Sequence, residues 1–155
     1  MHKNAYLIDS LYDAFSRGDG LAMAACYAPD ATFKDPVFDL KGEEIGAMWR
    51  MLCDRAADLR IEWRDVKADD ETGSAHWEAW YTFSATKRPV HNVIEAHFRF
   101  RGGRIHRHRD DFELWRWSRM ALGARGSALG WTPYVRRKIR EQARQGLEQW
   151  MSRHR

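Results

Sequence analysis

The sequence has few of the residues that cross-link a chain or anchor it in a bilayer. Its 155 residues contain only two cysteines, Cys26 and Cys53, which excludes the disulfide framework of a small secreted scaffold. No apolar run approaches the ~18 residues of a membrane-spanning helix, and the N-terminal segment lacks the apolar core of a secretory signal. There is no internal repeat or low-complexity run. We therefore expect a cytoplasmic protein with reduced thiols and no membrane partner.

Aromatic residues are abundant, at 13% of a chain that is 44% hydrophobic. Disordered chains are depleted in such residues, so this composition excludes intrinsic disorder. The length is that of a single domain of about 100–200 residues, which is enough to bury a core without cross-links.

The positive charge is unevenly distributed. The formal net charge is +4, but residues 134–155 carry seven Lys or Arg against two Glu, so the remainder is near −1. A second basic cluster crosses a predicted hairpin and comprises Arg99, Arg101, Arg104, Arg107 and Arg109. Solvated helix and sheet faces explain both clusters, and a patch for an anionic ligand or RNA is the alternative. Because no nucleic-acid motif accompanies them, we predict no nucleic-acid partner.

Periodicity divides the chain into helices, then strands, then a last helix. A 3.6-residue period predicts helices over 4–17, 19–28 and 42–57, and a period of two predicts a four-stranded antiparallel meander from 59 to 117. The last predicted strand, 104–117, is the longest. Thr132 and Pro133 then begin a helix as N-cap and first residue. We predict an α+β fold in which three N-terminal helices pack on a curved antiparallel sheet that closes into a cone-shaped barrel.

The predicted domain organisation has two parts. Residues 1–122 form the cone domain, and residues 123–155 form a glycine-containing loop and a basic helix packed on the same domain. Docking explains the apolar stripe of this helix, which includes Val135, Ile139 and Leu147. Binding to a membrane surface is the alternative, because Trp150 and Met151 lie among its cations.

The last predicted strand carries the residues most suited to chemistry. His106, His108, Asp110 and Phe112 share one face, which we expect to be the concave one. An inward carboxylate such as Asp110 becomes a better base when it is desolvated, and an adjacent imidazole can hold a proton or donate to an oxyanion.

Three alternatives to this interpretation stay open at the level of sequence. His108 and Asp110 can form a purely structural network. The opposite register would place Trp115 and Trp117 in the core. His106, His108 and Asp110 also have the spacing of metal ligands, but nothing gathers a further ligand, so we predict no metal.

A second carboxylate stands where a short predicted strand is broken by proline. Asp35 precedes Pro36, and a carboxylate there can overhang the open end of a cone, although Asp-Pro turns are common. The segment from Tyr27 to Pro36, together with Gly18-Asp19, Gly42, the turn at 103–105 and residues 108–112, resembles the nuclear transport factor 2-like superfamily. The resemblance is to its ketosteroid isomerase-like and SnoaL-like, or polyketide cyclase, branch, and it covers residues 4–122.

This resemblance implies a homodimer and a proton-transfer site inside the cone, and nothing in the sequence indicates a cofactor. In the isomerases the carboxylate of the Asp-Pro segment moves a proton beside a carbonyl, which corresponds to Asp35. In the cyclases an acid on the last strand is the base, which corresponds to Asp110 with His108 beside it.

The sequence departs from the isomerase pattern at two positions. Leu11 stands where the first helix of the isomerases carries a catalytic Tyr, although Tyr12 is adjacent. Glu95 stands at the second acid and belongs to the outer face of its strand. Steroid isomerisation is therefore not the expected reaction.

Two classes of function follow. The first is a cofactor-independent isomerase, cyclase or hydratase for a small hydrophobic carbonyl compound. Asp35 or Asp110 would be its base, and His108 and Tyr12 would orient or stabilise oxygen. Its predicted pocket lining is Phe33, Trp49, Trp80 and Phe112.

The second class is a non-catalytic ligand-binding or dimeric scaffold module. We expect its homodimer interface on the outer sheet face, with Trp115 and Trp117. An open cavity that contains both acids favours the enzyme, and a filled cone favours the module.

Overall fold

The computed structural model of the protein describes residues 1–154. Helices and strands follow the predicted order, with additional short elements. The helices are α1 (Lys3–Ser16), α2 (Gly20–Ala25), α3 (Glu43–Arg55), α4 (Leu114–Leu122), α5 (Ala124–Leu129) and α6 (Pro133–Arg153). The strands are β1 (Tyr27–Lys34), β2 (Asp39–Lys41), β3 (Arg60–Ala68), β4 (Thr72–Phe83), β5 (Arg88–Arg101) and β6 (Arg104–Asp111).

The six strands form one curved sheet in the order β2-β1-β6-β5-β4-β3. The predicted four-stranded antiparallel meander is β3 to β6, and it is confirmed. The sheet is not purely antiparallel, because β1 pairs in parallel with β6, the last strand of the meander. It is also open, since β2 and β3 are its edges and do not pair with each other. The mixed α+β fold is confirmed, with an open curved sheet in place of a closed barrel.

Helices α1 and α3 lie against the inner face of the sheet. The buried stripe of α1 includes Ile8, Leu11, Tyr12 and Phe15, which follow a helical period. The alternation in β5 sends every second side chain into the same core, from Val90 to Phe100. The sheet therefore has an inner face against the helices and an outer face exposed to solvent.

The predicted strand over 104–117 is wrong beyond Asp111, where β6 ends. The Glu113 carboxylate accepts a hydrogen bond from the Trp115 amide at 3.3 Å and caps helix α4. Trp115 and Trp117 therefore lie in this helix and not on the outer sheet face, so the expected Trp interface there is also wrong. Apolar and polar residues continue to alternate from the end of β6 into the first turn of α4, and this alternation is the reason that the sequence predicted one long strand.

The predicted glycine loop contains a short helix, α5, which packs closely on α4. A Cβ at Gly126 would lie 1.8 Å from the carbonyl oxygen of Ser118, so no other residue fits there without moving the backbone. This close approach makes residues 114–129 a compact helical pair beside β5.

Helix α6 begins as predicted, because the Thr132 hydroxyl accepts a hydrogen bond from the Val135 amide. Leu147 and Trp150 are buried, and the Trp150 indole donates to Asp54 of α3 at 3.0 Å. The basic helix thus packs on α3 of its own domain. Within residues 1–154 no helix is long and apolar enough to cross a membrane.

Candidate active site

Three buried side chains form a hydrogen-bonded relay on the inner face of the sheet. The Tyr27 hydroxyl lies 2.7 Å from His108 Nδ1, and His108 Nε2 lies 2.8 Å from Asp110 Oδ1. Tyr27 belongs to β1 and the other two residues to β6, so the parallel pairing of these strands brings them together. His108 is fully buried and Asp110 is 2% exposed. The expectation that His108 and Asp110 face inward therefore agrees with the structure.

Two tryptophan indoles donate hydrogen bonds to the relay. The Trp49 indole donates to the Tyr27 oxygen at 3.0 Å, so the Tyr27 proton is available to His108 Nδ1. In the tautomer with its proton on Nε2, His108 donates to Asp110 Oδ1, which also accepts from the Trp77 indole at 3.4 Å. Every hydrogen bond in the relay thus runs toward the carboxylate of Asp110. No hydrogen bond among residues 1–154 ends on its other oxygen, Oδ2.

Aromatic rings surround the imidazole of His108. Phe98 lies 4.3 Å and Phe33 lies 5.0 Å from it between ring centroids, and Tyr27 and Trp49 stack at 6.0 and 6.2 Å. These rings exclude water from the relay, which strengthens its electrostatic interactions. Phe33 and Trp49 therefore take the inward positions predicted for them.

The Tyr12 hydroxyl is buried and has no hydrogen-bond partner among the described residues. Burial raises the pKa of Tyr12 well above its ordinary value, and the negative charge of Asp110 raises it further. The ring of Tyr12 lies 5.5 Å from that of Trp77, whose indole donates to Asp110. Since a buried hydroxyl without a partner is costly, Tyr12 is a donor available to an oxygen atom in the interior.

Asp35 lies at the end of β1, where the chain leaves the sheet before Pro36. Its Oδ1 accepts hydrogen bonds from the amides of Val37 and Phe38 at 2.7 and 2.6 Å. The pKa of Asp35 is raised to about 7, because burial and, to a smaller extent, the charge of Asp110 outweigh the lowering effect of these two hydrogen bonds. The two carboxyl groups therefore interact electrostatically, and Asp35 can exchange a proton near neutral pH.

The neighbourhood of Asp35 includes the hydroxyl of Tyr81. The pKa of Tyr81 is raised overall. Burial is the main cause and the charge of Asp35 adds to it, whereas a hydrogen bond from Trp117 lowers the pKa. The Trp117 indole donates to the Tyr81 oxygen at 2.8 Å. Phe112, which was predicted to line the pocket, is half-buried and packs against the core.

His106 does not share the face of His108, which corrects the sequence alternation. β6 has a bulge, because Arg107 pairs with Arg99 while Ile105 pairs with the next residue of β5, Phe100. Ile105 consequently points inward, and His106 lies 3.8 Å from Asp30. Within residues 1–154 no three His, Cys, Asp or Glu side chains are grouped to hold a metal ion.

Trp80 is on the outer face of β4 and does not line the interior, so its predicted role is wrong. Its ring stacks on His91 at 4.5 Å, and the Arg60 guanidinium lies 4.2 Å from its centroid. Trp77, three residues earlier, has the inward position instead. Glu95 is exposed and contacts His76, which agrees with its expected place on the outer face.

Sequence reasoning missed Tyr27 and Trp77 as members of the site. Tyr27 stands inside the segment that carries the family resemblance, but only the parallel pairing of β1 and β6 reveals its contact with His108. Trp77 is the inward residue opposite Ile94 in the alternating register, so the pairing of β4 and β5 was the available signal.

A family profile described as the SnoaL-like domain matches residues 8–108. The chain therefore belongs to the SnoaL-like domain family. No curated protein matches the sequence.

Solved structures share the fold at low sequence identity. An NTF2-like protein of unknown function from Burkholderia pseudomallei K96243 is 20% identical with a TM-score of 0.67, over 77% of this chain and 98% of its own. A candidate polyketide cyclase from Xanthomonas campestris pv. campestris is 23% identical with a TM-score of 0.63, over 76% and 96%. A protein with the ketosteroid isomerase-like fold from Catenulispora acidiphila DSM 44928, solved with trimethylamine, is 15% identical with a TM-score of 0.67, over 82% and 97%. At these identities the likeness shows the fold alone.

Proposed function

We propose that this protein binds a small hydrophobic carbonyl compound inside the cone and catalyses a cofactor-independent proton transfer on it, as an isomerase or cyclase. The observation that carries the proposal is the buried relay from Tyr27 through His108 to Asp110, beside the unpartnered hydroxyl of Tyr12. A similar fold in a candidate polyketide cyclase is consistent with this chemistry.

Asp110 is the proposed base. Its Oδ1 is held by His108 and Trp77, which leaves Oδ2 to accept a proton from the carbon beside the carbonyl. Tyr12 donates its hydrogen bond to the oxygen where negative charge develops. His108 and Tyr27 act as positioning residues, because they orient Asp110 without reaching the substrate.

Asp35 is the proposed second proton carrier. With a pKa of about 7 it is present in both protonation states at neutral pH, so it can return a proton at another atom of the substrate. A resting state in which Asp35 is protonated also avoids placing two negative carboxylates together in a dry interior.

Exchange of α-hydrogens for deuterium tests the proposed chemistry without knowledge of the natural substrate. The protein is incubated in D2O with 2-tetralone, and exchange is followed by proton NMR. We expect saturable exchange by the wild-type protein and a loss of about 10²–10⁴-fold in Asp110→Asn. Asp111→Asn is the matched control, because this neighbouring carboxylate is exposed on the outer face.

Saturation-transfer NMR on the same samples separates binding from catalysis. Bound 2-tetralone without any Asp110-dependent exchange would contradict the enzymatic role and leave a ligand-binding protein. Exchange that is equal in wild type and Asp110→Asn would also contradict it.

A non-catalytic ligand-binding or scaffold module is the second candidate function. The close ring packing around His108 favours it, because Tyr12 and His108 are fully enclosed and substrate entry needs movement of the rings. Native mass spectrometry of the freshly purified protein distinguishes the two candidates. A retained ligand with no turnover supports the module.

We also propose that two chains associate through the outer sheet face. Trp80, His91 and Val93 are half-buried on this face, and a stacked aromatic residue beside Arg60 is typical of interface cores. Light scattering after gel filtration tests it, with Trp80→Ala expected to give a monomer. A wild-type monomer at micromolar concentration would refute it.

A further inference from the structure

A hollow of about 860 Å³ crosses the outer face of the sheet. It lies directly behind the relay, because its lining includes Phe33, Phe98 and His108, whose side chains are buried on the inner face. Residues of all six strands line the hollow, and its lining also includes two carboxylates, Asp39 and Asp69. His97 of the hollow and His91 beside Trp80 are six residues apart in β5, or ~20 Å, so the hollow lies apart from the proposed interface core. Its volume is within the range of small-molecule sites.

Strand pairing places hydrogen-bond donors in two rows along this hollow. In the first row Thr32 is paired with Arg107, Arg107 with Arg99, and Arg99 with Thr72. Two arginines thus stand directly opposite each other on adjacent strands, with a hydroxyl on either side. All four residues are exposed.

The second row is one step along the strands and continues over five of them. Lys34 is paired with Arg109, Arg109 with His97, His97 with Ser74, and Ser74 with Lys67. Neighbouring strands are about 4.8 Å apart, and same-face residues along a strand are ~7 Å apart. The two rows therefore form a lattice of cations and hydroxyls with the spacing of a small polyanion.

Few of these cations are neutralised by the protein. Arg109 lies 3.3 Å from Asp111, which also contacts His97. Arg99 and Arg107 have no carboxylate within 4.0 Å among the described residues. Like charges directly opposite each other on adjacent strands destabilise a sheet. The pairing of Arg99 with Arg107 therefore costs folding stability, and both side chains are exposed in the hollow. We infer from this that an external anion is their partner.

We propose that this hollow is a binding site for a phosphate-bearing small molecule, with Arg99 and Arg107 as its main ligands and Thr32, Thr72 and Lys34 around them. Arginine forks match the oxygens of phosphate groups and donate to them in pairs. The bounded hollow favours a small molecule over a nucleic acid, which needs a longer basic track.

Titration calorimetry with sodium pyrophosphate tests the proposal on the full chain. We expect saturable binding of one pyrophosphate per chain at physiological salt, and a loss of affinity of ~10-fold or more in the double variant Arg99→Gln/Arg107→Gln. The matched control is Arg101→Gln/Arg104→Gln. This pair is also cross-strand and removes the same charge, but it lies outside the hollow.

Three outcomes overturn the proposal. The first is no saturable binding of pyrophosphate, and the second is equal loss in both double variants, which would indicate net charge alone. The third is tighter binding of a twelve-nucleotide oligothymidylate that is lost with the same arginines, which would make the surface a nucleic-acid site. Thermal melts of both double variants confirm folding, and Arg99→Gln/Arg107→Gln is expected to melt no lower than wild type because it removes repulsion.

Discussion

Replacement of Asp35 by Asn should stabilise the protein at alkaline pH and leave its stability unchanged in acid. The folded-state pKa of Asp35 is raised from 3.8 to about 7, chiefly by burial. The folded protein therefore binds a proton more tightly than the unfolded chain does. Its free energy of unfolding falls as the pH rises from about 4 to about 7 and is constant above that. Asn resembles the neutral acid and avoids this loss.

The magnitude follows from the two pKa values. Their difference of ~3 units corresponds to an upper limit of ~4 kcal/mol at about 1.4 kcal/mol per unit. Because Asp35 is half-buried, solvent reduces this figure, and we expect about 2 kcal/mol at pH 8. The Asn side-chain oxygen can still accept from the amides of Val37 and Phe38, so the turn is retained.

Differential scanning calorimetry at pH 4 and pH 8 measures the effect. For a domain of this length we expect Asp35→Asn to melt ~4–8 °C above wild type at pH 8 and at the same temperature at pH 4. Asp39→Asn, which removes an exposed carboxylate from β2, should show no such pH dependence. An equal difference at both pH values, or a lower melting temperature for Asp35→Asn at pH 8, would refute the reasoning.

Three further substitutions address other parts of the molecule. Tyr27→Phe removes the hydroxyl bonded to His108 and Trp49. We expect the free energy of unfolding in urea to fall by about 1–3 kcal/mol, because these two buried side chains lose a hydrogen-bond partner. Glu78→Gln should lower the melting temperature more at pH 5.5 than at pH 8.5. Arg107→Glu should raise the melting temperature by ~1–3 °C, because it replaces repulsion with attraction opposite Arg99.

The pH dependence expected for Glu78 follows from its neighbours. Hydrogen bonds from His76 and His91 lower the pKa of Glu78 to about 2. Burial lowers the pKa of His76, but hydrogen bonds to Glu78 and Glu95 outweigh it and raise the pKa overall. The Glu78 carboxylate therefore stabilises the folded protein above about pH 4.5. The stabilisation that comes from protonated His76 is lost as the pH rises through the raised pKa of His76. A uniform effect of Glu78→Gln across pH would contradict this linkage.

Tyr27→Phe and Arg107→Glu need their own controls. Tyr6→Phe alters an exposed tyrosine and should not change urea unfolding. Arg104→Glu places the same new charge opposite Arg101, outside the hollow. A Tyr27→Phe protein as stable as wild type would show that the relay does not stabilise the fold. A lower melting temperature for Arg107→Glu would show that the arginine pair is not under repulsion.

The sheet could be predicted from sequence where neighbouring strands are also neighbours along the chain. Alternation and turn residues identified β3 to β6, and the same alternation placed His108 and Asp110 on the inner face. The parallel pairing of β1 with β6 joins distant segments and has no local signal. Tyr27 was therefore missed, although it completes the relay.

Local irregularities account for the remaining errors. The bulge in β6 turns His106 outward, and a bulge cannot be recognised from alternation because the pattern is similar on both sides of it. Glu113 caps a helix at the point where apolar and polar residues still alternate, so Trp115 and Trp117 were assigned to a strand. Trp80 was predicted to line the pocket, although the alternation of its own strand places it on the outer face.

The pairing of β1 with β6 has a consequence for synthesis and folding. Tyr27 and His108 are 81 residues apart in sequence, so the relay requires closure of a long loop. A nascent chain that ends before β6 contains Tyr27 but lacks His108 and Asp110, so the relay cannot form in it. The relay therefore forms late in synthesis, and a fragment that ends before β6 lacks the base that we propose, however well its helices form.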